Sequence, residues 1–193
     1  IAVFLKQEVF KRISFLSIIL LLAVGLSVLK DTTLSFAYYN TLFKSSQFIL
    51  FFKILIILGS IASISISINF FSDLKVKRFE IPLLILFSTI GMMVLISSNN
   101  LMSMYLGIEL QSLSLYVIAA INRDSLQSSE SGVKYFVLGA LSSGILLYGC
   151  SLIYGFTGST NFDEIKLALL ELEKLNLGIL FGLIFVNFST EEL

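Results

Sequence analysis

Five long, mostly apolar runs constrain this chain more than any other feature. They cover roughly residues 13–29, 48–71, 81–97, 101–121 and 133–154. Crossing the hydrocarbon core takes about 20 mostly apolar residues as a helix. Backbone N–H and C=O groups must bond internally in lipid, so each run is expected to be helical. A barrel would need strands of alternating polarity, and these runs do not alternate. The expected fold class is therefore all-α, a polytopic transmembrane helix bundle forming one membrane domain over 1–193. A sixth run, 175–188, is shorter and reads as a complete but short helix or one that the end of the sequence cuts off.

Composition supports this reading. Hydrophobic residues make up 56% of the chain and charged residues 13%, about half the charge of an ordinary soluble domain. A water-soluble fold of 193 residues could not hide that much apolar surface. The formal net charge of +0 gives no basic field for nucleic acid; the expected surroundings are a lipid bilayer. There is no histidine, and Cys150, the only cysteine, lies in an apolar run and is read as a small core residue. The chain begins with Ile and is rich in Phe, Ile, Leu, Ser and Lys, in keeping with an AT-rich organellar gene or a longer N-terminus. The first run is read as a span rather than a cleavable signal, since no small-residue cleavage site and soluble domain follow it.

Two longer connections stand out. Residues 31–47 are polar and aromatic. In GFTGSTNFDEIKLALLELEK, residues 155–174, Thr160 or Asn161 can cap a helix opening with Asp163 and Glu164. Ile165, Leu169 and Leu172 then share a face, so 163–174 reads as an amphipathic helix at the membrane surface. If the five spans alternate, Lys6, Lys11, Arg12, Lys75, Lys77, Arg78 and Arg123 fall on one side. Lys30, Lys44, Lys166 and Lys174 fall on the other, and the bias places the first side inside.

Glu109 lies in the middle of the fourth run. It is eight residues past Leu101, about 12 Å into the span at 1.5 Å per residue. An acid there costs about 2.5 kcal/mol or more if it faces lipid, so it should face protein or water, and by default it marks an ion pathway. Such a group, held between burial and a nearby cation, can exchange a proton near neutral pH. The alternative is a structural acid that joins helices. Tyr105, Glu109, Ser112 and Tyr116 share one face, and Gln111 and Ser114 offer further donors. These groups can order water for proton hops or act as helix–helix glue worth roughly 0.6–2 kcal/mol per bond.

Lys134 opens the fifth run after the polar connection NRDSLQSSESG. It reads either as the partner or relay of Glu109 or as a residue snorkelling to the interface. Asp124 and Glu130 are expected to be solvated in that connection. Lys53 reads as a snorkelling anchor. Gly139, Ala140, Ser142, Ser143 and Gly144 read as small residues for close helix packing. No phosphate loop, zinc pattern, haem-attachment motif or dinucleotide fingerprint occurs, so no metal or cofactor site is expected in this chain.

Residues 100–162 carry more than physics can read. The stretches YLGIELQSLSLYV, KYFVLGALSSG and LIYGFTGSTNF closely resemble subunit 2 of respiratory NADH:ubiquinone oxidoreductase, complex I, called subunit N in bacteria. The resemblance implies an antiporter-like membrane-arm subunit. It would couple quinone reduction elsewhere in the complex to proton pumping, in the mitochondrial inner membrane or a bacterial plasma membrane. It makes Glu109 the family's membrane glutamate and Lys134 its lysine on the following helix. It also implies other membrane-arm subunits as partners, with NADH, FMN, iron–sulfur clusters and ubiquinone held elsewhere in the complex. The family's fold has about fourteen helices with inverted repeats. It usually has one helix before 13–29, and beyond NFSTEEL it continues into lysine-bearing helices. This sequence includes neither; the expectation is a split subunit whose second chain carries that half, the alternative being that the sequence is part of a longer product. The rival expectations are a subunit of a sodium/proton antiporter complex, or a structural scaffold bundle.

Overall fold

The computed structural model describes residues 8–30, 42–73, 80–122, 124–171 and 177–192. These form α1 (Glu8–Lys30), α2 (Gln47–Asp73), α3 (Glu80–Ser97), α4 (Leu101–Ala119), α5 (Leu126–Thr157), α6 (Phe162–Glu171) and α7 (Leu177–Glu192). The chain is an all-α membrane bundle. Helices α1 to α5 are each long and apolar enough to cross a bilayer, while the apolar part of α7, Leu177–Thr190, is shorter. The basic residues Lys6, Lys75, Lys77, Arg78, Arg123 and Lys174, and the residue Leu172, lie outside the described residues.

Local chemistry sets the helix ends. Asn100 caps α4, its side chain accepting from Met102 N at 2.8 Å. Asn161 Oδ1 accepts from Asp163 N at 2.8 Å at the head of α6. Gly158 ends α5 at φ 74°, a left-handed conformation that glycine adopts without a Cβ clash. Pro82 sits in the first turn of α3, where its missing N–H would have no helical partner.

The polar stretch before Lys134 differs from expectation. Residues 126–132 are not a loop: they are the first two turns of α5, which runs for 32 residues, about 48 Å at 1.5 Å per residue. The Ser125 side chain accepts from Ser128 N, and Ser128 Oγ donates to Ala119 O at 2.8 Å, tying the polar turns to the end of α4. Polarity there marks a helix reaching past the apolar core, not a break in it. Glu130 consequently belongs to α5.

Packing joins neighbours in sequence. Leu21, Ile57 and Ile64 centre the contact of α1, α2 and α3. Leu101, Leu146, Cys150, Ile153 and Ile165 centre that of α4, α5 and α6. Between α3 and α4 the backbones touch: a Cβ on Gly107 would lie 2.8 Å from Leu95 N and 3.0 Å from Gly91 O. Close approach through glycine is the usual route to tight packing in membranes, where apolar burial alone gives no drive. Between α5 and α7, Ser142 Oγ donates to Ser189 O at 2.8 Å.

One end of the bundle is stitched by polar backbone. Lys44 N donates to Ser97 O, Asn99 N to Leu42 O, Leu101 N to Thr160 O and Phe162 N to Asn99 O. The segment before α2, the α3–α4 turn and the α5–α6 turn therefore meet, so α2 to α5 alternate in direction. Asp163 completes this junction, accepting from Lys44 Nζ at 2.7 Å and from Asn99 Nδ2 at 3.2 Å. Those bonds, that of Lys44 first, hold its carboxyl below the usual aspartate range.

Candidate functional site

Helices α4 and α5 cross face to face, and ring geometry fixes their rotation. Tyr116 on α4 meets Tyr135 on α5 edge-on, with ring centroids 4.8 Å apart. Its hydroxyl lies where a Cβ on Gly139 would be, 1.9 Å from that position. This registration brings residues one to two turns further along α5 against the first half of α4.

There Ser143 Oγ donates to Glu109 Oε2 at 2.8 Å. The Tyr105 hydroxyl lies 3.1 Å from the same Ser143 oxygen. A serine hydroxyl has one proton. With that proton given to Glu109, Tyr105 is the donor to Ser143. The three oxygens form an ordered row, Tyr105 to Ser143 to Glu109. Ser143 is buried, whereas Tyr105 and Glu109 are half-buried in this chain. Ser143 thus supplies a side-chain hydrogen bond to the carboxyl group.

The structure distributes the expected site residues unevenly. Tyr105 and Glu109 come together, through Ser143. Ser112 is buried on the same face of α4, three residues on. Gln111 is two residues from Glu109, about 200° around the helix, and its backbone abuts Gly91 of α3. It belongs to the α3 contact.

Lys134 does not meet Glu109. Its Nζ pairs with Glu130 Oε1 at 2.5 Å, one turn away on α5, and both side chains are more than half exposed. Nine residues separate Lys134 from Ser143, which is two and a half turns, or about 13.5 Å along α5 and the opposite face. Of the two readings of Lys134, partner of Glu109 or interface residue, the exposed pair with Glu130 is in keeping with the second.

Ser143 is the residue that sequence reasoning assigned elsewhere. Two adjacent serines in an apolar helix were a visible signal, read as packing. Ser142 does turn to α7. The opposite orientation of Ser143 depends on the α4–α5 rotation, which no local pattern reveals.

Residues 98–191, from the α3–α4 turn through α7, match the family described as NADH:quinone oxidoreductase/Mrp antiporter, transmembrane. The chain is 47% identical over 186 residues to NADH-quinone oxidoreductase subunit N 1 of Rhizobium meliloti (strain 1021), covering 96% of this chain and 38% of that protein. It is 57% identical over 136 residues to subunit N of Pelagibacter ubique (strain HTCC1062), covering 70% of this chain and 28% of that protein. This chain belongs to the subunit N family.

Its fold agrees with that placement. It is similar to a chain of respiratory complex I from Thermus thermophilus solved with bound aureothin, with a TM-score of 0.68 and 25% identity, over 94% of this chain and 38% of that one. Thus the chain spans under two fifths of the length of this neighbour and of the subunit N relatives above. The matched family region contains the whole Tyr105–Ser143–Glu109 row. The donor set of the chain does not fit an iron–sulfur cluster, which takes four thiolates or two with two histidines. Cys150 is its one cysteine, and it has no histidine.

Proposed function

We propose that this chain forms part of a proton-translocating membrane-arm subunit of an NADH:quinone oxidoreductase, with Glu109 as its protonatable group. The observation that carries this reading is the carboxyl of Glu109, half-way along a membrane-spanning helix and hydrogen-bonded by a hydroxyl from the next helix. Acids within spans are expensive and mark ion or proton routes. Membership in the subunit N family supports the same reading.

Redox chemistry would belong to other subunits of the complex, which would hold NADH, FMN, iron–sulfur clusters and ubiquinone. This chain would respond to quinone reduction by taking up and releasing a proton at Glu109. Lys134, paired with Glu130 on the far face of α5, would act on that carboxyl only through its field. Its partners would be the other membrane-arm subunits. The membrane would be energy-conserving, either mitochondrial inner or bacterial plasma.

A second reading has one observation in its favour, since the matching family description names Mrp antiporters beside NADH:quinone oxidoreductase. Native electrophoresis of mildly solubilised membranes separates the two. An NADH-oxidising band of very high mass that contains this chain supports the first. Migration apart from any such band, with sodium-dependent proton exchange, supports the second.

A further inference from the structure

We propose that Ser143 is the positioning residue of Glu109 and that, with Tyr105, it forms a built-in proton limb leading from Glu109 toward the α3–α4/α5–α6 junction. The inference deepens the proposed function and rests on Glu109 being the protonatable group.

Three observations carry it. The row is continuous, with Tyr105 Oη 3.1 Å from Ser143 Oγ and Ser143 Oγ 2.8 Å from Glu109 Oε2. It is also directional. Tyr105 is one turn nearer than Glu109 to the Asn100 end of α4, where the junction lies, and the basic-residue bias places that end outside. Finally, the row passes through a protein-covered middle. Ser143 is 6% exposed, while Tyr105 is half-buried in this chain.

The hydrogen-bond inventory makes the row a two-way relay. With Glu109 ionised, Tyr105 donates to Ser143 and Ser143 donates to Glu109. With Glu109 protonated, the carboxyl O–H donates to Ser143 Oγ as Ser143 passes its proton to Tyr105 Oη and Tyr105 releases its own to water. Each hydroxyl oxygen breaks one O–H bond and forms one. The net change is one proton lost by Glu109 and one gained by water. The row then stands in its first orientation.

The test uses the assembled complex in sealed membrane vesicles, with proton uptake per NADH oxidised and the infrared carboxyl band of Glu109 as readouts. The band is assigned by its loss in Glu109→Gln. Ser143→Ala is expected to lower pumping roughly ten-fold or more, the scale of a lost proton-transfer group. It should also shift the carboxyl C=O stretch upward as its hydrogen bond disappears, and Ser143→Thr should restore both. Tyr105→Phe is expected to lower pumping while the carboxyl band stays in place, because Ser143 still holds the acid. Normal pumping and an unmoved band in Ser143→Ala would overturn the inference. If Glu109→Gln itself pumps normally, the reading beneath it fails as well. If Glu109→Gln is inactive while both hydroxyl variants pump normally, the limb alone is refuted.

Discussion

Ser143 on α5 donates its one hydroxyl proton to Glu109 on α4 at 2.8 Å. This bond joins two helices that the sequence separates by 34 residues. It gives the acid of α4 a partner on the next helix. The relationship depends on the α4–α5 rotation set by Tyr116, Tyr135 and Gly139.

The helix interfaces predict a contrast between two glycines. Gly107→Ala would force a methyl against backbone atoms of α3, 2.8 Å from Leu95 N, and backbone cannot yield without moving the helix. The expected loss is about 1–3 kcal/mol, the usual cost of overpacking. Gly144→Ala meets nothing within 4 Å. It should be neutral or stabilising by up to about 1 kcal/mol, the helix preference of alanine over glycine. Thermal unfolding of the detergent-solubilised complex reads both.

Lys134 is predicted to couple only weakly to Glu109, through its field. Its ion pair with Glu130 is more than half exposed, and such pairs contribute about 0–1 kcal/mol. In a double-mutant cycle of Lys134→Ala with Glu109→Gln, stability effects should add within about 0.5 kcal/mol. A coupling well above that would place the lysine closer to the acid than the structure does.

The junction predicts a pH dependence. The Asp163 carboxyl is held below its ordinary range by Lys44 and Asn99. A depressed carboxylate adds stability that is present above its unfolded pKa of about 3.9 and lost as pH falls through the lower folded value. The junction should therefore be unchanged from pH 7 to about pH 5 and loosen only below about pH 4. Amide hydrogen exchange across residues 160–165 would show it. In Asp163→Asn the exchange at pH 7 should already be faster and should lack that acid-side step.

Much of this structure was legible in the chain, and for simple reasons. The spans follow from length and hydropathy, because lipid forbids unpaired backbone. A cap at Thr160 or Asn161 was legible because such side chains compete for orphan N–H groups, and Asn161 takes the role; the cap at Asn100 was not foreseen. Glu109 was conspicuous because an acid in an apolar run is costly. The start of α5 was not legible, since polarity looks the same in a loop and in a helix that leaves the core. Nor was the partner of Glu109. Lys134 was near in sequence terms and opposite in charge, but half a turn of helix rotation sends it to another face. Choosing between Ser142 and Ser143 required the third dimension.

The central claim is that Glu109 carries a translocated proton. The most direct measurement is protons moved per NADH oxidised in sealed vesicles, comparing the unaltered complex with Glu109→Gln, with assembly checked by native electrophoresis. The predicted result is a complex that assembles normally and loses both pumping and quinone reductase activity. A fully assembled Glu109→Gln complex with an unchanged proton-to-NADH ratio would contradict the account.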